Sequence, residues 1–143
     1  MDEFSHKSIR ASTLAREVLQ WLPALLLLGS FIVPYTAAQT NGIIAGVTIP
    51  IPPGMRKATD KRIELIVPGF KGGQEAYKGS VDPSEIITFY QKQMPLDGWN
   101  QYASLVTGGG LMVFTRNNQS VLISVGEGNG ETTLAIMVGT TNP

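Results

Sequence analysis

The stretch VDPSEIITFYQKQMPLDGW, residues 81–99, decides the fold of this chain. Asp82 suits a helix N-cap, Pro83 suits the first helical position, and Glu85 completes a capping box three residues after the cap. The apolar side chains that follow fall on one helical face at spacings of three and four: Ile86, Ile87, Tyr90 and Met94. The pattern predicts a helix from residue 83 to about residue 94, with this face buried against a sheet.

Strand and turn signals surround the helix on both sides. Segments in which apolar and polar residues alternate predict strands over residues 62–67, 74–78, 99–106, 111–115, 120–125 and 132–138. Asn117 and Asn118 predict a tight hairpin turn, because asparagine tolerates positive φ, and the glycine-rich residues 126–131 predict another. The fold class is therefore predicted as α+β, with a small antiparallel sheet covered on one side by one helix.

An uncharged apolar segment precedes this domain, since no charged side chain lies between Glu17 and Arg56. Residues 18–38, VLQWLPALLLLGSFIVPYTAA, would form a helix of roughly 30 Å, which matches the hydrocarbon core of a bilayer. Read as a retained anchor, this segment would contact lipid through Trp21, Leu25, Leu28, Phe31 and Tyr35. Read as a secretory signal, it would be cleaved after Ala38.

Both interpretations predict the same topology. Lys7, Arg10 and Arg16 precede the apolar segment, and no further lysine or arginine follows until Arg56. Positive charge is retained on the cytoplasmic side of a bacterial inner membrane, so the N-terminus is expected there and the C-terminal domain in the periplasm. The chain is divided accordingly into residues 1–17 (cytoplasmic), 18–38 (anchor or signal), 39–55 (uncharged arm) and 56–143 (exported domain).

The arm, residues 39–55, is too apolar for a solvated linker and too rich in proline for a central strand. One interpretation is an edge strand or an extended segment leading into the domain. The other is an arm that packs on a partner or on the membrane surface, which makes its large aliphatic residues candidate partner contacts: Ile43, Ile44, Val47, Ile49 and Ile51.

Composition limits the chemistry that the chain can perform. Among its 143 residues, 11 Lys+Arg balance 11 Asp+Glu, which excludes the basic footprint of a nucleic-acid-binding protein. The chain has no cysteine, and its one histidine, His6, precedes the apolar segment, so neither a transition-metal site nor a Ser-His-Asp triad is expected in the exported domain. We therefore predict a non-enzymatic protein without cofactor or metal.

The order of motifs resembles a family of small exported domains found in bacterial envelope lipoproteins of unknown function. The resemblance rests on IPIPPG (residues 49–54), YKGSVDPSEIITFYQKQMPLDGW (residues 77–99) and LMVFTRNNQSVLISV (residues 111–125), and spans about residues 49–138. It implies a helix packed on a sheet and no catalytic activity. The chain differs from the family in having no lipobox cysteine, so a peptide anchor or free secretion would replace the lipid.

Three functions are compatible with these features of the sequence. The leading hypothesis is a single-pass accessory subunit of the bacterial inner membrane that braces a larger integral membrane complex, of respiratory or photosynthetic type, with its domain in the periplasm. The second is a periplasmic binding module released by cleavage after Ala38. The third is an envelope hydrolase that uses two carboxylates, which would have to converge within reach of one ligand.

Overall fold

A computed structural model describes residues 39–141. These residues form nine strands and one helix, in the order β1 (Thr40–Ile44), β2 (Val47–Ile51), β3 (Arg56–Lys57), β4 (Ile63–Val67), β5 (Phe70–Gly79), α1 (Pro83–Leu96), β6 (Asn100–Val106), β7 (Gly110–Arg116), β8 (Gln119–Gly128) and β9 (Glu131–Thr141). The prediction of an antiparallel sheet with one helix is confirmed for this part of the chain.

The main sheet has seven strands, ordered β3-β5-β9-β8-β7-β6, and β4 also pairs with β5. All of its pairings are antiparallel. The C-terminal strand β9 is therefore not at an edge but lies between β5 and β8. β1 and β2 form a separate two-stranded antiparallel hairpin.

The core lies against one face of the main sheet, which we call the inner face. Successive side chains of a strand point to opposite faces, and paired residues share a face. The large buried side chains of β5, β7, β8 and β9 follow this alternation: Tyr77, Met112, Phe114, Val121, Ile123, Val125, Leu134, Ile136 and Val138. Helix α1 and the β1–β2 hairpin join the same hydrophobic cluster, so two elements cover the inner face.

Helix α1 begins at Pro83 as predicted, but it continues past the predicted end near Met94 to Leu96, with Pro95 inside the helix. The Asp82 carboxylate accepts hydrogen bonds from the backbone N–H of Ser84 at 2.8 Å and from its hydroxyl at 2.6 Å, and these bonds lower the pKa of Asp82. At the other end Gly98 adopts a positive φ of 80°, and the N–H of Trp99 donates to the carbonyl of Met94 at 3.0 Å. The predicted face is the buried one, comprising Ile86, Ile87, Tyr90 and Met94.

Replacing Asp82 by alanine is expected to lower the melting temperature by roughly 5 °C, because the first-turn amide of Ser84 loses its acceptor. Thermal unfolding followed by circular dichroism measures the effect. Asp60→Ala, which removes an exposed carboxylate outside the helix, is the matched control and should leave the melting temperature unchanged. Equal shifts in the two variants would show that lost negative charge, rather than the cap, accounts for the effect.

Three of the hairpin turns depend on positive φ angles. Asn117 has φ 52° in the β7–β8 turn, and Asn129 and Gly130 have φ 54° and 74° in the β8–β9 turn, so both predicted turns are confirmed. The β1–β2 turn places Ala45 at φ 51° and Gly46 at φ 84°. Alanine seldom adopts this conformation, and for that reason the sequence carried no recognisable signal for this hairpin.

The structure corrects the interpretation of residues 39–55 as an arm that contacts a partner. Ile44, Val47, Ile49 and Ile51 are at most 3% exposed and belong to the hydrophobic core, whereas Ile43 is 60% exposed. The alternating aliphatic residues that suggested an extended arm instead form one face of a hairpin, and this face packs against the sheet. Residues 39–141 belong to one compact unit.

Candidate functional site

The residues predicted to form a membrane anchor, Trp21, Leu25, Leu28, Phe31 and Tyr35, lie outside the described residues. Residues 39–141 include no helix with the length and apolar character needed to cross a bilayer. Of the five predicted partner contacts, only Ile43 remains exposed. A functional surface on this domain must therefore be built from other residues.

A buried carboxylate, Glu75, lies at the centre of the strongest polar cluster. Only 5% of this residue is exposed, and its carboxylate accepts a hydrogen bond of 2.6 Å from the hydroxyl of Tyr77. The ammonium group of Lys57 lies 3.0 Å from Glu75 Oε1, and Arg62 Nε lies 3.3 Å from the same oxygen. One buried negative charge is thus compensated by two cations and one hydroxyl.

The local sequence explains why these groups meet. Glu75 and Tyr77 are two positions apart on β5 and share the inner face, and Lys57 on β3 pairs directly with Tyr77. The hairpin makes room for the hydroxyl, because a Cβ atom at Gly42 would lie only 2.6 Å from Tyr77 Oη. Lys57 lies in β3 and Arg62 lies directly before β4. The cluster therefore connects these two parts of the chain to β5.

The pKa shifts follow from this geometry. Burial alone would raise the pKa of Glu75, but the hydrogen bonds from Tyr77 and Lys57, together with the charges of Lys57 and Arg62, lower it overall. Burial and the hydrogen bond to Glu75 raise the pKa of the Tyr77 hydroxyl. The Glu75 carboxylate is thus held in its charged form, as the acceptor, and the Tyr77 hydroxyl in its neutral form, as the donor.

Arg62 also lies 3.8 Å from Glu64 Oε1, so two carboxylates share one guanidinium. A general acid needs a pKa raised towards neutrality, whereas the pKa of Glu75 is lowered. The cluster therefore has the properties of a structural ion-pair network. Within residues 39–141, no group of three or more acidic or histidine side chains is close enough together to hold a metal ion.

Two buried polar atoms have no hydrogen-bond partner within the described residues, namely Tyr90 Oη and Trp99 Nε1. Burial raises the pKa of Tyr90. The guanidinium carbon of Arg116 lies 4.2 Å from the centroid of the Trp99 ring, and Arg116 donates to the carbonyl of Asp97 at 2.8 Å. Both aromatic rings are thus packing elements of the core, and Arg116 covers the edge of that core next to the helix C-terminus.

The opposite face of the main sheet, which we call the outer face, has a different character. The pairings align one row of side chains across six strands: Ile63, Gln74, Met137, Leu122, Val113 and Ala103. Neighbouring rows add further apolar side chains: Leu65, Val67, Phe70, Leu105 and Leu111. Ile63, Leu65 and Met137 are 63%, 55% and 43% exposed, respectively. Four others of the set are half-buried: Phe70, Gln74, Val113 and Leu122.

Charge is confined to one end of the outer face. Among the strand residues whose side chains lie on the outer face, the charged ones are Arg56, Lys78 and Glu131. Arg56 donates to Glu131 at 2.8 Å, and Lys78 Nζ lies 3.7 Å from the other oxygen of that carboxylate. The rest of the face is apolar or neutral.

The ring of Phe70 lies over a pair of glycines on the outer face. Gly72 and Gly139 pair directly across β5 and β9, and a Cβ atom at either would approach the Phe70 ring to 2.8 Å and 3.1 Å, respectively. Glycine at both positions thus lets the aromatic ring rest on the sheet itself. This arrangement adds apolar surface to the row formed by Leu65 and its neighbours.

Comparison with protein families, with curated proteins and with solved structures finds no match to this chain. The resemblance to exported lipoprotein domains therefore stays a prediction. The outer face is the feature of the described residues that most favours a function, and the sequence alone did not predict it. In the sequence, the outer face is indicated only by alternating uncharged residues within β7, β8 and β9. The pairing of the strands is needed to show that the side chains of these residues form one surface.

Proposed function

We propose that this chain is a non-enzymatic accessory subunit that docks through its outer face onto a protein of a larger membrane complex. In this proposal residues 18–38 anchor the chain in the inner membrane, with the N-terminus cytoplasmic and the domain periplasmic. The observation that carries the proposal is the pairing of a covered inner face with an outer face that is apolar, nearly uncharged and left open by residues 39–141.

A solvent-exposed sheet face that is apolar and nearly uncharged is unusual. Antiparallel sheets with one face in the core commonly present polar side chains on the other face. Contiguous exposed apolar surface instead marks an interaction site. A flat face with few charges favours a partner whose contacting surface is itself apolar and neutral, because a charged partner surface would lose its hydration without gaining an opposite charge.

The proposal is tested by placing a carboxylate on the outer face of the full-length chain. Leu65→Glu and Met137→Glu are expected to release the subunit from its complex in mildly solubilised native membranes, as seen by native electrophoresis with intact-mass analysis. Leu96→Glu is the matched control, because Leu96 is 78% exposed on α1, away from this face. It should remain in the complex with the wild-type chain.

Two results would contradict this function. If the Leu65 and Met137 variants stay in the complex at wild-type levels, the outer face is not the docking surface. If the protein is recovered in the soluble fraction with a chain that begins at Gln39, it is a released periplasmic binding module rather than an anchored subunit. A full-length mass together with stoichiometric partners is the expected outcome.

A further inference from the structure

The two edges of the main sheet differ sharply in charge. The edge formed by β3 and β4, together with the segment between these strands, is rich in charged residues: Arg56, Lys57, Asp60, Lys61, Arg62 and Glu64. At the other edge, the β6–β7 hairpin has no charged residue before Arg116, the last residue of β7. Proteins commonly protect exposed strand edges from unwanted pairing with charges, prolines or bulges. β6 has no charge and no proline, and its one bulge leaves residues 103–106 regular.

β6 is also fully accessible. All seven of its residues are exposed, including Tyr102 at 79%, Leu105 at 60% and Val106 at 56%. A bulge between Gln101 and Ala103 interrupts the pairing with β7, and the register is regular again from Ala103 to Val106. Within residues 39–141, β6 pairs with β7 only, so the N–H and C=O groups on the other side of this regular part offer a short template for another strand.

We propose that the free edge of β6 pairs antiparallel with β6 of a second copy of this chain. The twofold axis would pass near Ser104, at the middle of the regular part. In such an isologous contact Ser104 faces its own equivalent and Leu105 faces Ala103 of the second copy, so only neutral side chains meet. The charged residues along the β3–β4 edge protect that edge from the same pairing.

Pairing through β6 also extends the outer face. Leu105 pairs with Leu111 on that face, and strands added in register continue the same alternation into the second copy. The two outer faces then form one continuous surface, with charge only at its two far ends. This inference goes beyond the proposed function and does not depend on it, because the dimer would form with or without a docking partner.

A charge-swap experiment on the full-length chain in detergent tests the proposal. Ser104→Lys and Ser104→Glu each place like charges close together at the twofold axis, so each variant alone is expected to bind its own copy more than tenfold more weakly than the wild type. Mixing the two variants should restore the dimer as a Lys–Glu pair. Mass photometry or native mass spectrometry measures the oligomeric state.

Single cysteines map the contact, because the chain has none of its own. Oxidation is expected to cross-link Ser104→Cys, whereas Ile66→Cys on β4, also exposed, serves as the control and should stay uncross-linked. A monomeric wild type, or Ser104→Lys and Ser104→Glu variants that remain dimers when unmixed, would overturn the proposal. If the Ser104 variants lose the dimer but stay in the complex, and Leu65→Glu leaves the complex but keeps the dimer, the two surfaces act separately.

Discussion

Tyr90→Ala is expected to lower the free energy of unfolding by roughly 3–5 kcal/mol, the largest of the effects predicted for this domain. Tyr90 is fully buried and lies at the centre of the helix face that covers the sheet, where its ring packs edge-on against Phe89 at a centroid distance of 5.2 Å. Removing the ring leaves a cavity that the surrounding β-branched side chains cannot fill. Urea unfolding followed by Trp99 fluorescence, in a Trp21→Phe background, measures the loss.

The conservative variant separates packing from hydrogen bonding. Tyr90 Oη has no hydrogen-bond partner within the described residues, so Tyr90→Phe keeps the packing and removes an unsatisfied buried hydroxyl. We expect Tyr90→Phe to be as stable as the wild type or more stable. A loss close to that of Tyr90→Ala would mean that the hydroxyl has a hydrogen-bond partner and that the bond, rather than the packing of the ring, stabilises this part of the core.

Removing both cations from the buried carboxylate is expected to cause the second-largest loss. In the double variant Lys57→Met and Arg62→Met, Glu75 keeps only the hydrogen bond from Tyr77. We expect a loss of about 2–3 kcal/mol at pH 7, less than for a fully buried pair because both cations are about half exposed. Adding Glu75→Gln to this variant should restore most of the stability, since no buried charge then remains.

The same cluster predicts how stability depends on pH. The pKa of Glu75 lies below its ordinary value of 4.5, so its contribution is complete above that pH and is lost as the pH falls through the lowered value. The stability difference between wild type and Glu75→Gln should therefore shrink between about pH 5 and pH 3. In the double variant only burial and the Tyr77 hydrogen bond remain, so this acid-induced loss should be smaller than in the wild type or reversed. Parallel urea titrations at about pH 7 and about pH 3 test both statements.

Local signals in the sequence were sufficient for the helix and for the C-terminal strands. The cap at Asp82, the apolar spacing up to Met94 and the Asn117 turn each depend on residues close together in the chain, and each is found as predicted. β5 was predicted too short, because Gly72 and Gly73 suggest a loop. In the structure these glycines are strand residues whose missing Cβ atoms leave room for Phe70 and for Ile44.

Long-range contacts account for what the sequence could not predict. The β1–β2 hairpin is recognisable only once its apolar face is seen against β5, and its turn uses an alanine with positive φ. The ion pairs of Glu75 join β5 to Lys57 and Arg62, which no local pattern relates to it. The outer face likewise exists only when β9 is placed between β5 and β8. The hairpin contact, the ion pairs and the outer face all depend on which strands lie side by side in the sheet, and not on the residue types of any one segment.

The position of β9 has a consequence for the synthesis of the protein. Among the strands of residues 39–141 it is synthesised after all the others, yet β5 and β8 are joined within the sheet only through it. Before it inserts, the chain can form only local hairpins and a helix that lacks a complete sheet to pack against, and pairing of strands so distant in sequence is slow. The main sheet can therefore be completed only after β9 has been synthesised. A chain that ends before Glu131 leaves the apolar side chains of β5 and β8 without their shared neighbour, and we expect it to be degraded or to aggregate.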